Sequence, residues 1–229
     1  MSETAVYFEE EIHENPWPDK LELILGMAGI LAAGVALTML VRGVVSIRQR
    51  SHPGPGKTAV IGDSLTANAN GYVDYLAANI ADRQFDKMGI VGQGTALIKS
   101  RLQQNVIGHG FDEVIIEGGI NDIRRADAVD YVTANLQAMV QMAKTAGLKV
   151  VLVTLTPYAP YTQKILQIND RILRNAKSWG VDVVVDLYNP LVGTHGELRQ
   201  DLVGDAVGLH PNHQGHLIMG ETIRQSAYR

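Results

Sequence analysis

Apolar positions along the 229-residue chain change character twice. Residues 1–20 set Glu3, Glu9, Glu10, Glu11, Glu14 and Asp19 against Lys20, with Pro16 and Pro18 near the end, and predict a solvated acidic tail. From Leu21 to Val41 only Glu22 and Thr38 break an apolar run that, as a helix, is long enough to cross a hydrocarbon core of roughly 30 Å. A buried core helix would keep a polar stripe, so residues 21–41 are expected to be a single transmembrane helix. Ala28, Ala32 and Ala36 lie four apart, as do Gly29 and Ala33, a spacing through which two such helices could self-associate. Residues 42–57 are a basic linker with Arg42, Arg48, Arg50 and Lys57, broken by Pro53-Gly54-Pro55-Gly56.

Over residues 58–229 the pattern becomes an alternation of short β-branched runs with longer amphipathic stretches. Ala59 to Ile61, Val114 to Ile116, Lys149 to Leu155 and Val181 to Leu187 read as buried strands, and a further strand is expected before Gly89. Helical spacing covers Ala67 to Ala81, Ala96 to Gln104, Ala126 to Ala146 and Gln163 to Trp179, with a last helix from near Pro211. Strand and helix in alternation predict a three-layer α/β domain around a parallel sheet, whose active site lies at the carboxyl ends of the strands.

Composition narrows the chemistry. A net charge of −4 gives no sign of nucleic-acid binding, and the absence of cysteine removes disulfides, thiolate metal sites and a cysteine nucleophile. Gly56-Lys57-Thr58 has the look of a phosphate-binding loop, but Ser51 stands where the motif needs its first glycine and no strand precedes it.

Gly62-Asp63-Ser64-Leu65-Thr66 puts a hydroxyl on the turn between the first strand and the next helix, where helix N–H groups face a developing oxyanion. Asp and Ser are equally common helix caps, so this stretch alone reads as well as a cap as a nucleophile. Three further clusters fall at the same edge of the sheet: Gly89-Ile90-Val91-Gly92-Gln93-Gly94-Thr95, Gly118-Gly119-Ile120-Asn121-Asp122, and Gly208-Leu209-His210-Pro211-Asn212.

In this order, Gly-Asp-Ser-Leu, a glycine after the second strand, Gly-x-Asn-Asp and a late His-Pro-Asn resemble the SGNH hydrolases, also called GDSL esterases and lipases, over residues 58–229. The resemblance implies a flavodoxin-like fold, Ser64 as nucleophile and His210 as general base. It also implies an oxyanion hole made by the Ser64 amide, Gly92 and Asn121, and no cofactor. A serine hydroxyl needs an imidazole to take its proton, and the tetrahedral intermediate needs donors where charge develops. The chain departs from the family at Val207, where an aspartate three residues before the histidine is usual. Asp205 could replace it through a looped turn, or a backbone carbonyl could hold the imidazole and leave a dyad.

His210, His213 and His216 do not form a metal site on this reading, since His213 and His216 are expected on a helix surface; Asp63 and Asp122 are expected to brace their own loops. The expected function is a membrane-anchored serine esterase acting through an acyl-enzyme on a lipid, an acylated sugar or a cell-envelope ester. Specificity would lie in the loops Tyr158 to Tyr161 and Tyr188 to Asp205. A catalytically impaired, membrane-tethered binding or assembly protein and an acyltransferase using the same residues are the alternatives. The basic cluster after the span predicts a cytoplasmic catalytic domain by the positive-inside rule, whereas family precedent favours the opposite side.

Overall fold

The computed structural model describes residues 56–229. The expected span, the acidic tail and most of the basic linker lie outside the described residues. Among the described residues no helix is long and apolar enough to cross a membrane.

Five strands form one parallel sheet in the order β2-β1-β3-β4-β5, with β1 Gly56–Gly62, β2 Arg83–Gly89, β3 Glu113–Ile116, β4 Lys149–Val153 and β5 Val183–Val185. Side chains on a strand alternate between faces, and here both faces are apolar. Ala59, Ile61, Val114, Ile116, Val150 and Leu152 enter one buried cluster. Val60, Ile115, Val151, Val153 and Val185 enter the other. The first face is covered by α3 (Thr95–Arg101), α5 (Val129–Thr145) and α6 (Thr162–Trp179); the second by α2 (Tyr72–Asn79) and α7 (His213–Ala227). Short helices α1 (Ser64–Ala67) and α4 (Ile120–Arg124) follow β1 and β3 at the carboxyl edge.

Several boundaries differ from the sequence expectation, each for a local reason. The helix expected over residues 67–81 is two helices. Asp63 accepts the Leu65 N–H and starts α1 at Ser64, and Asn70 at φ 55° then turns the chain before α2. The helix expected from Ala126 begins at Val129, because Ala126 has φ 71° and ends the turn after α4 instead. The helix over Ala96 to Gln104 becomes α3, running into a wider turn at Leu102–Val106. β4 stops at Val153, short of Leu155, because the Leu155 N–H and carbonyl pair with the side-chain amide of Asn169 on α6, at 2.8 and 2.9 Å. β5 keeps only Val183–Val185 of the expected run to Leu187, because Asp186 takes the Tyr188 amide at 2.8 Å and starts a turn. The last helix starts at His213, capped by Asn212, whose side chain accepts the Gly215 N–H. Gly56-Lys57-Thr58 opens β1, so these residues form no phosphate-binding loop.

Candidate active site

Ser64 stands at the first helical position of α1, directly past the carboxyl end of β1. The Asp63 carboxylate that caps this helix also accepts from the Asn121 side chain at 3.0 Å, so one residue joins the β1 turn to the turn after β3. Beneath it lies Glu117, the residue after β3, buried and accepting from the Asp63 amide at 3.0 Å and the Thr66 hydroxyl at 2.9 Å. Burial, and then the charge of Asp63, push the Glu117 carboxyl well above the usual carboxylate range, and burial raises Asp63 too. A side chain at Gly62 would collide with Thr66 and Glu117, at 2.1 and 2.3 Å.

His210 reaches Ser64 from the long connection after β5. Val203 bridges to Pro211, and the Gly204 amide bonds the His210 carbonyl at 2.8 Å, so residues 204–210 close into a tight loop. Within it Gly208 takes φ 69° and returns the chain toward Asp205. Asp205 Oδ1 accepts from the Leu209 amide at 3.0 Å, and Oδ2 accepts from His210 Nδ1 at 2.5 Å. With Nδ1–H given to a carboxylate, Nε2 is left to accept from the Ser64 hydroxyl, at 2.9 Å. Burial opposes the Asp205 charge, but the His210 imidazole and the Leu209 amide outweigh it and hold the carboxyl below its ordinary value. Val207 sits at the tip of the same turn, 61% exposed.

Gly92 has φ 75°, and a side chain there would meet nothing within 4 Å. Its glycine is therefore a requirement of backbone conformation. Its carbonyl accepts from Arg125 at 2.5 Å. Asn121 is buried, and its amide donates to Asp63 Oδ2 at 3.0 Å and to the Gln93 carbonyl at 3.1 Å. That amide therefore lies between the neighbours of Ser64 and of Gly92. To donate to a third group it must give up one of these two bonds.

Two expectations change here. Asp122 does not brace its own loop alone: it accepts the Thr95 amide at 2.9 Å and the Thr95 hydroxyl at 2.8 Å, tying the turn after β3 to the start of α3. His216 is not on the surface. It is 1% exposed and stacks on Tyr72 with ring centroids 6.4 Å apart, while His213 is exposed and His210 faces Ser64, so the three imidazoles diverge.

The sequence profile of the GDSL-like lipase/acylhydrolase family matches residues 60–218. The chain belongs to that family. This GDSL enzyme hydrolyses esters, and its five-stranded parallel sheet is the family's. It is similar to the structure of a GDSL-like lipase from Bacteroides thetaiotaomicron at 26% identity, over 80% of this chain and 95% of that one, with a TM-score of 0.65. Two more distant structures share its fold. A member of the lipolytic G-D-S-L family from Veillonella parvula is 20% identical over 76% of this chain and 98% of its own, with a TM-score of 0.65. A catalytic mutant of an acetylxylan esterase from Geobacillus stearothermophilus is 20% identical over 75% and 94%, also at 0.65. No curated protein sequence matches the chain.

Glu117 and Arg125 were not singled out in the sequence. Glu117 had a signal, a carboxylate ending the wholly apolar run Val114-Ile115-Ile116; Arg125 had none, since its partner is 33 residues away.

Proposed function

We propose that this GDSL hydrolase is a membrane-anchored serine esterase working through an acyl-enzyme. Ser64 is the nucleophile, His210 the general base and Asp205 the group that orients and charges the imidazole. The observation that carries this reading is the continuous hydrogen-bonded path from the Ser64 hydroxyl to His210 Nε2 and from His210 Nδ1 to Asp205, at 2.9 and 2.5 Å.

Ser64 Oγ attacks the ester carbonyl carbon while its proton passes to His210 Nε2. The oxyanion is received by the amides of Ser64 and Gly92 and by Asn121, which exchanges its bond to the Gln93 carbonyl for the new acceptor. His210 then gives its proton to the departing alkoxide, and the alcohol leaves. Water attacks the acyl-enzyme with its proton again taken by His210, and collapse returns Ser64 and the free acid. The reading of the substrate is an ester of a lipid, an acylated sugar or an envelope polymer. A cavity of about 280 Å³ between the two loops expected to set specificity, lined by Tyr158, Glu197, Gln200, Val203 and Val207, joins apolar walls to a carboxylate and an amide, which favours a group carrying hydroxyls over an anionic one.

A fluorophosphonate should add to Ser64, read by intact mass, and Ser64→Ala should lose both the adduct and turnover of a short p-nitrophenyl ester. A folded protein that stays unlabelled at a probe concentration sufficient for a control serine hydrolase would sink the proposal. The anchor rests on Leu21 to Val41, and the side on Arg42, Arg48, Arg50 and Lys57, which favour a cytoplasmic domain. Protease added to spheroplasts should spare the domain; its digestion would place the enzyme on the outer side.

A further inference from the structure

We propose that Arg101, on α3, is a positioning residue of this site, fastening the turn that carries Ser64 to the loop that carries Gly92 through one guanidinium. The inference rests on the serine-esterase reading above. Arg101 Nη2 donates to the Gly62 carbonyl at 2.8 Å, Nη1 to the Met88 carbonyl at 2.7 Å, and Nε to the Gln93 side-chain oxygen at 2.6 Å. Gly62 is the residue before the Asp63-Ser64 turn, Met88 is next to the end of β2, and Gln93 follows Gly92.

The three acceptors belong to a rigid unit. Gly62 and Gly89 are paired at the end of the β1–β2 ladder. A side chain on Gly89 would run into the Ala67 backbone nitrogen at 2.1 Å, so α1, which begins with Ser64, rests directly on the end of β2. Arg101 closes this end of the ladder and extends one donor to the loop beyond it. The planar fork of guanidinium donors is suited to three splayed acceptors, and the point charge of lysine is not.

The electrostatics point the same way. Among the described residues no carboxylate lies within salt-bridge distance of Arg101, and its side chain is only partly exposed. A partly buried cation held by carbonyls and an amide alone is costly for stability, and burial draws its pKa down. At the base of two loops that receive an oxyanion, the same unneutralised charge favours the transition state over the neutral ester.

The test uses the full chain in detergent with p-nitrophenyl acetate. Arg101→Met should lower kcat about 100-fold, as loss of an oxyanion donor does, with KM within about threefold. Arg101→Lys should recover little of the loss. Guanidinium ion at tens of millimolar should raise the kcat of Arg101→Ala about tenfold and leave the wild type unchanged, which a packing role would not produce. Gln93→Met removes one acceptor without stranding the charge and should cost kcat several-fold, so the proposal stays testable should the arginine variants not fold. Folded Arg101→Met with near wild-type kcat, or Gln93→Met with unchanged kcat when Arg101→Met is unfolded, overturns the role of Arg101 while an inactive Ser64→Ala leaves the esterase reading standing. Turnover that survives Ser64→Ala overturns both.

Discussion

Asp205→Asn tests the hydrogen bond on which the imidazole depends. In the folded enzyme Asp205 Oδ2 stands 2.5 Å from His210 Nδ1, and the two side chains are 26% and 34% exposed. On the proposed mechanism His210 takes the Ser64 proton and becomes a cation beside this carboxylate. Two unit charges about 4 Å apart attract by about 4 kcal/mol at an effective dielectric of 20, and water reaching a site this exposed reduces the figure toward about 2 kcal/mol. The expected loss in kcat is therefore about 30- to 1,000-fold, since each 1.36 kcal/mol is about a factor of ten. A second effect acts in the same direction, because an asparagine amide can donate to Nδ1 and leave the proton on Nε2, where it blocks acceptance from Ser64. KM should change little, because the interaction strengthens only as charge develops. The assay is steady-state turnover of a p-nitrophenyl ester, with thermal unfolding alongside, because Asp205 also accepts the Leu209 amide and the fold must be shown intact. Val207→Asp should neither raise wild-type activity nor rescue Asp205→Asn, since residue 207 sits at the exposed tip of the turn, on the cavity side, while the turn itself presents Asp205 to His210 Nδ1. An Asp205→Asn enzyme with unchanged kcat, or one rescued by Val207→Asp, would refute the reasoning.

Further outcomes follow from groups around the site. Burial holds His216 neutral, lowering its pKa from 6.5 to about 4, so the unfolded chain binds a proton there that the folded chain refuses. This part of the stability, about 3 kcal/mol, is present above pH 6.5 and is lost as pH falls to about 4. His216→Phe should flatten the acid limb of a urea-midpoint profile between those values, and an unchanged profile would count against a buried neutral imidazole. Glu117→Gln should keep both kcat and stability within about 1 kcal/mol, since a neutral side chain can still accept from Asp63 and Thr66, whereas Glu117→Ala should lose about 2–3 kcal/mol; an inactive, unstable Glu117→Gln in chemical denaturation would show that the negative charge is needed. A chain beginning at Pro55 should remain soluble and monomeric by light scattering, because β1 starts at Gly56 and the sheet's two buried clusters lie within residues 56–229. Aggregation relieved only by detergent would mean that the apolar run belongs to this domain.

What the sequence determined by itself was local or periodic. The runs Val114 to Ile116 and Lys149 to Val153 declare strands because both faces of a parallel sheet are buried and leave no polar alternation. The placement of Ser64, Asn121 and His210 at one edge of the sheet was legible because each sits in a short block at a strand end or helix start. The tertiary structure decided the rest. Which carboxylate serves His210 depends on the left-handed turn at Gly208 and the bridge from Val203 to Pro211, and not on a count of residues back from the histidine. His216 shares the buried stripe of Met219, Gly220 and Ile223, a helical spacing that was present in the sequence, but only the packing of α7 on α2 turns a polar residue inward against Tyr72. Arg101 carries no mark in the chain at all. Its acceptors lie 8, 13 and 39 residues away and two of them are backbone carbonyls, which every residue possesses and only the folded sheet brings together.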